Sequence, residues 1–142
     1  MIRLTAILVL FCGGCLCGKK PGIYLVPEKA LLLAKTYMEC AVETNVDPET
    51  LKDLREGTVL SNVDENNLKK LIYCIYVKAG FGKKNGHLDI AESLSYFPKE
   101  VDMKQIKELL ENCDKNEGKV PMETSTMIYK CVYKNFPYTI LF

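Results

Sequence analysis

Seven cysteines are the residues of this 142-residue chain with the widest chemical repertoire. Cys12, Cys15 and Cys17 crowd near the N-terminus, while Cys40, Cys74, Cys113 and Cys131 are spread through the rest. A cysteine can act as a nucleophile, a metal ligand or half of a disulfide. Nucleophilic use needs a base, and His87 is the only histidine, so every Cys-His or Ser-His-Asp arrangement would have to draw on it. A zinc site wants paired ligands, and the four later cysteines include no CxxC pair. The chain has no GxSxG, HExxH or phosphate-binding loop. An EF-hand register over Phe81 to Glu92 puts Gly86 and Glu92 in place, but Phe81 and Lys83 stand where carboxylates are needed. A second register from Asp114 fails at Lys119 and Ser125. These residues therefore point to no enzyme, no metal and no cofactor. Four separated cysteines in a short exported chain instead form a disulfide framework with three possible pairings, and the spacing does not choose among them.

Export is expected from the first 18 residues. Arg3 supplies a positive start, Leu4 to Leu16 an apolar or small-residue run, and Cys15, Cys17 and Gly18 the small residues near a cleavage point. The run falls short of the roughly 20 apolar residues that span a bilayer. Residues 1–18 thus read as a signal peptide and 19–142 as one helical domain. The chain carries 19 Lys+Arg and 18 Asp+Glu, and losing Arg3 leaves 18 of each. That balance gives no basic stripe for nucleic acid and no basic amphipathic helix for a membrane surface.

Short helices must position the four cysteines. Pro27 to Val42 repeats Ala30, Leu33, Ala34, Tyr37 and Ala41 at helical spacing. Asp47-Pro48 starts a second helix that Gly57 ends. Asp64 caps a third, whose apolar face is Leu68, Leu71, Ile72, Ile75 and Ala79, and which Gly80 and Gly82 terminate. Asp89 to Tyr96 is a short fourth helix with Ile90, Leu94 and Phe97 inward. Asp102 with Gln105 begins a fifth, presenting Met103, Ile106, Leu110 and Cys113. Pro121 opens a sixth, presenting Thr124, Met127, Ile128, Cys131 and Val132. The fold class is all-α, about six helices. The tail from Phe136 to Phe142 is mostly apolar or aromatic and calls for something to cover it.

With the elements in order, Cys40, the segment Leu-Lys-Lys-Leu-Ile-Tyr-Cys ending at Cys74, Lys-Lys-Asn-Gly-His-Leu at 83–88, Cys113 and Cys131 resemble the insect odorant-binding proteins, that is, the pheromone and general odorant-binding proteins. The resemblance covers essentially the whole mature chain. The family typically has six cysteines. Its second and fifth positions fall here on Lys70 and Met122, and the paired absence resembles the four-cysteine "minus-C" subgroup. The resemblance implies the pairing Cys40–Cys74 and Cys113–Cys131, and an internal hydrophobic cavity between the helices.

It also implies a secreted carrier of odorants, pheromones or related lipids in extracellular fluid, with a small apolar ligand as partner and a chemosensory receptor downstream. A monomer or weak dimer is expected, with no nucleic acid and no stable membrane anchor. Burying a twelve-carbon chain at roughly 0.8 kcal/mol per methylene, less about 4 kcal/mol for association, leaves about 6 kcal/mol, or tens of micromolar. Candidate ligand-binding residues are Leu68, Ile72, Ile75, Leu94, Ile106, Leu110, Met127 and Ile128, with Phe136 and Phe142 from the tail. Tyr73 and Tyr76 could offer phenols, and His87 is the side chain that could couple release to pH. The competing expectation is a secreted, disulfide-linked helical module that binds membrane lipid or a protein.

Overall fold

A computed structural model describes residues 20–47, 49 and 64–141. The expected signal peptide, nearly all of the expected second helix and Phe142 lie outside the described residues. Those described contain five helices: α1 (Pro27–Glu43), α2 (Glu65–Lys78), α3 (Ile90–Leu94), α4 (Met103–Cys113) and α5 (Pro121–Asn135). Two short strands, β1 (Gly22–Tyr24) and β2 (Thr139–Leu141), flank them. The expected six helices become five here because the second falls outside this set.

The helix starts follow from side chains that satisfy orphan amides. Asp64 accepts from the Asn66 amide, Asp89 from the Glu92 amide and Asp102 from the Gln105 amide. Pro27 and Pro121 occupy the first turns of α1 and α5, where a missing N–H costs nothing. α2 is the central element, packed between α1 and α5, and α4 packs on α3 and α5. Two disulfides fasten this arrangement. Cys40–Cys74 joins α1 to α2 with Cα atoms 5.8 Å apart, and Cys113–Cys131 joins α4 to α5 at 5.6 Å.

Two apolar clusters meet along α2. One gathers Leu33, Cys40, Ala41, Leu71, Ile75 and Ala79 between α1 and α2. The other gathers Ile72, Ile106, Leu110, Cys113, Ile128 and Phe136 among α2, α4, α5 and the tail. Leu68, Phe81, Phe97, Tyr129 and Ile140 touch both.

The tail forms a strand that pairs parallel with β1, with Gly22 opposite Thr139, Ile23 opposite Ile140 and Tyr24 opposite Leu141. The Thr139 amide donates to Pro21 O at 2.9 Å, and Tyr138 Oη accepts from the Asp102 amide at 3.0 Å. The chain's own N-terminal strand and the start of α4 therefore cover the apolar tail in part, with Ile140 half-buried and Leu141 exposed.

The α2–α3 connection is a tight loop, bridged between Gly82 and Leu88. Gly86 has φ +90°, and a Cβ there would come within 2.3 Å of Pro121 O, so only glycine lets the loop close on α5. This closure delivers Phe81 and Leu88 to the interior.

Candidate functional site

An apolar cavity of about 170 Å³ lies between the two clusters, and every described helix contributes to its wall. α1 supplies Leu33 and Tyr37, α2 supplies Ile72, Ile75 and Tyr76, and α5 supplies Tyr129 and Val132. Leu110 of α4 and Ser93 of α3 join them, with Leu25, Phe81, Leu88, Tyr96 and Phe97 from the connections. Ile140 of β2 completes the wall, so the tail forms part of the enclosure. A dry apolar cavity of about 150 Å³ is large enough to take up benzene, so this one is of ligand-binding size as it stands.

Its polar groups are few and mostly engaged. Ser93 Oγ donates to Asp89 O at 2.7 Å, turning the side chain back on its own helix. Tyr96 Oη donates to Ala79 O, tying the end of α3 to the end of α2. Tyr76, Phe81 and Tyr96 form an edge-to-face series, with centroids 4.7 Å and 5.3 Å apart. Burial pushes the Tyr96 phenol up to about 12, helped by Glu92 and Tyr37. Burial also raises Tyr76, with Tyr129 and Tyr37 adding to it, and raises Tyr129, with Tyr37 and Tyr133 adding to it. These phenols are neutral at any physiological pH, so the interior holds no tyrosinate.

Of the residues singled out from the sequence, Ile72, Ile75 and Leu110 stand on the cavity wall. Ile106 and Ile128 are fully buried behind it, in the α4–α5 cluster. Leu68 and Leu94 are half-buried and pack against the core without lining the cavity. Phe136 is buried against Phe97, with ring centroids 5.5 Å apart, next to the wall. Met127, expected on the inner face of α5, is 41% exposed. It lies one residue, about 100° of helix, from Ile128, and the buried positions beside Ile128 are taken by Thr124 and Ser125. Phe142 lies outside the described residues.

Tyr76 is on the wall, whereas Tyr73 Oη donates to Lys84 O at 2.7 Å on the outside. His87 is not on the wall. Its Nδ1 lies 3.0 Å from Asp114 O and 3.2 Å from Asp114 Oδ1, and that same oxygen accepts from the Leu88 amide at 2.7 Å. The histidine thus clips the α2–α3 loop to the end of α4. Among the described residues no group of His, Cys, Asp and Glu is arranged to hold a metal ion, and no helix is long and apolar enough to cross a membrane.

None of the wall aromatics Tyr37, Phe81, Tyr96, Phe97 and Tyr129 is among the ligand-binding residues expected from the sequence, although Tyr37 and Phe97 are expected on inward faces. Tyr37 sits in the apolar repeat of α1, and Tyr129 lies next to Ile128, so a helical wheel could have found both. Phe81 and Leu88 gave no periodic signal, since their inward placement depends on the glycine loop.

Comparison with known proteins agrees with this geometry. The sequence profile of the PBP/GOBP family matches residues 25–135. The B1 protein of Tenebrio molitor is 26% identical over 116 residues, covering 80% of this chain and 85% of that one. Among solved structures, the fatty acid binding protein OBP56a from the oral disk of the blowfly Phormia regina superposes with a TM-score of 0.62 at 23% identity. That superposition covers 78% of this chain and 93% of the blowfly protein, and it shows a shared fold.

Proposed function

The chain belongs to the PBP/GOBP family, and from that premise we propose that it is a secreted carrier that takes one small hydrophobic molecule into its internal cavity and moves it through extracellular fluid. The cargo class is odorants, pheromones or related lipids. The observation that carries this reading is the cavity itself: an almost wholly apolar wall drawn from all five described helices and the tail strand. Such a wall gains affinity from buried apolar area and has no group placed to cut or activate a bound molecule. Binding without chemistry is what a carrier requires.

Secretion is supported by the two disulfides, which persist in oxidising compartments, and by the leader-like first 18 residues. Lys70 and Met122 occupy the positions of the missing family cysteines, which supports assignment to the four-cysteine subgroup. Without a tie between α2 and α5 there, the two helices can part to admit cargo larger than the resting cavity. A chemosensory receptor is the proposed recipient.

The test is displacement of a fluorescent apolar probe from the oxidised protein by long-chain alcohols, aldehydes, esters and terpenoids. Saturable, one-to-one displacement near micromolar is expected. Absence of probe uptake by a monodisperse protein with both disulfides formed would defeat the proposal.

One observation favours a second reading. The outer face of α1 leaves Leu31 73%, Met38 59% and Val42 82% exposed, a stripe at helical spacing that a lipid surface or a protein could cover. Flotation with liposomes would reveal that use, and carrier function predicts none.

A further inference from the structure

The outer face of α1 has the features of a helix that packs on another helix. Leu31, Met38 and Val42 recur there at helical spacing and are more than half exposed, with Ala34 open beside them. At the C-terminal end of α1 the chain turns back: Asn45 has φ +57°, and the Val46 amide donates to Ala41 O at 2.9 Å. An open groove lies at this turn, lined by Met38, Ala41, Val42, Asn45, Val46 and Asp47. Met38, Ala41, Val42 and Asn45 stand at i, i+3, i+4 and i+7, the four positions that make a hole for a knob from a facing helix. A knob of the right kind is Leu31, the most exposed leucine among the described residues, at the other end of the same stripe. A helix cannot seat its own N-terminal knob in its own C-terminal hole. A second copy running antiparallel can, and the two-fold axis then fills both holes at once.

The charges beside the stripe favour that direction. On one flank stand Glu28, Lys35 and Glu39, and on the other Ala30, Ala34 and Ala41. In an antiparallel two-fold pair each flank meets its own counterpart. With Leu31 of one copy against the Met38, Ala41, Val42 and Asn45 hole of the other, Lys35 falls opposite Glu39 of the second copy, and Glu39 opposite its Lys35. Within one copy Lys35 Nζ is already 3.8 Å from Glu39 Oε1, so the pair closes an alternating cluster of charges. A parallel pair would set the same charges against alanines. The antiparallel pair also brings the positive N-terminal end of each α1 to the negative C-terminal end of the other. A lipid surface fits this face poorly. An interfacial helix carries a basic polar face, whereas on α1 Glu28, Glu39 and Glu43 outnumber Lys29 and Lys35, and Lys29 is paired with Glu92. One helical face per copy is smaller than the roughly 20–30 residues a side of a stable interface, so the pair is weak, dissociating on the order of 100 μM.

We propose that this chain forms an antiparallel two-fold dimer through the outer face of α1, with Leu31 of each copy seated among Met38, Ala41, Val42 and Asn45 of the other and Lys35 facing Glu39 across the axis. The interface lies on the side of α1 away from Leu33 and Tyr37, so it leaves the cavity wall untouched and does not depend on what the cavity holds.

The experiment is sedimentation equilibrium of the oxidised mature protein from about 5 μM to about 1 mM, across which the wild type should pass from monomer to dimer. Leu31→Glu should weaken association at least about tenfold, because it buries an unpaired charge in the hole. Helical circular dichroism and probe uptake by the cavity should stay as in the wild type. Lys35→Glu and Glu39→Lys should each weaken self-association about three- to tenfold by setting like charges across the axis. An equimolar mixture of those two variants should associate about as tightly as the wild type, since every facing pair is again opposite in charge. A wild-type protein that stays monomeric at about 1 mM overturns the proposal and leaves the face to the chain's own residues 48–63 or to a different protein. Association that Leu31→Glu leaves unchanged overturns it, as does a mixture of the charge variants that associates no more tightly than either alone. Liposome flotation of the wild type that Leu31→Glu abolishes would assign the face to lipid and overturn it too.

Discussion

Deleting residues 138–142 separates the tail's role in the cavity from its role in stability. In the intact protein these residues form the parallel ladder with β1, the Thr139–Pro21 bond and the Tyr138–Asp102 bond. At roughly 1 kcal/mol net for each hydrogen bond, this contributes about 4 kcal/mol. Partial burial of Tyr138 and Ile140 adds about 3 kcal/mol. Ordering the backbone of residues 138–141 costs roughly 1–2 kcal/mol each, or about 4–8 kcal/mol, so the two sides nearly cancel. The truncated protein should therefore keep its helices and lose less than about 10 °C in Tm. Ligand retention should change far more. Ile140 is part of the wall, and uncovering about two methylenes of cargo at roughly 0.8 kcal/mol each removes about 1.6 kcal/mol, a weakening of about 15-fold. The loss should appear in the dissociation rate, measured by stopped-flow probe release beside a thermal melt. An unchanged release rate would show that Ile140 does not close the cavity. Loss of the helical fold would show that the tail belongs to the core.

Three further outcomes are expected. Replacing Cys113 and Cys131 by alanine opens a bridge with a sequence separation of 18, which should cost about 3 kcal/mol in a denaturant titration; the Cys40–Cys74 bridge, with a separation of 34, should cost slightly more. The paired change Lys70→Cys with Met122→Cys should yield a protein with no free thiol after oxidation; persistent thiols in a folded protein would break the alignment with the six-cysteine pattern. In alkali, Tyr96 keeps its proton in the folded state up to about 12 but releases it near the ordinary 10.0 when unfolded. Its contribution, and those of Tyr76 and Tyr129 in the same direction, is therefore complete below pH 10 and lost as pH rises toward 12. Tyrosinate absorbance followed beside helical circular dichroism should show part of the eight tyrosines ionising only as helix is lost, whereas a single wave near pH 10 with helix intact would contradict the burial assigned to them.

The helices were legible because their signals are local. Asp64, Asp89 and Asp102 each cap the helix they precede, Pro27 and Pro121 sit in first turns, and the inner face of α2 is the Leu71, Ile72, Ile75 and Ala79 stripe. The inner face of α5 was harder to read, because polar residues occupy it. Thr124, Ser125 and Thr126 are buried, and local bonds satisfy their hydroxyls: Ser125 and Thr126 donate to Met122 O, and Thr124 Oγ1 accepts from the Gly118 amide. The sequence pattern places Thr124 on this face but leaves Ser125 and Thr126 outside it and moves Met127 inward in their place. The cavity is legible only where helical periodicity supplies its wall. Ile72, Ile75 and Leu110 follow helical periodicity, whereas Phe81, Leu88 and Ile140 arrive through a glycine-closed loop and a strand pairing between the two ends of the chain. Pairing between residues more than a hundred positions apart leaves no local trace in the sequence.

In the proposed function the cargo sits inside the molecule. Isotope-filtered nuclear Overhauser measurements on the labelled protein with an unlabelled long-chain aldehyde test it most directly. Contacts are expected from the ligand chain to the methyl groups of Ile72, Ile75, Leu110, Val132 and Ile140, and none to those of Leu31, Met38 and Val42 on the outer face of α1. Contacts confined to the α1 face would contradict it and would make the exposed stripe, not the cavity, the place where this protein meets its ligand.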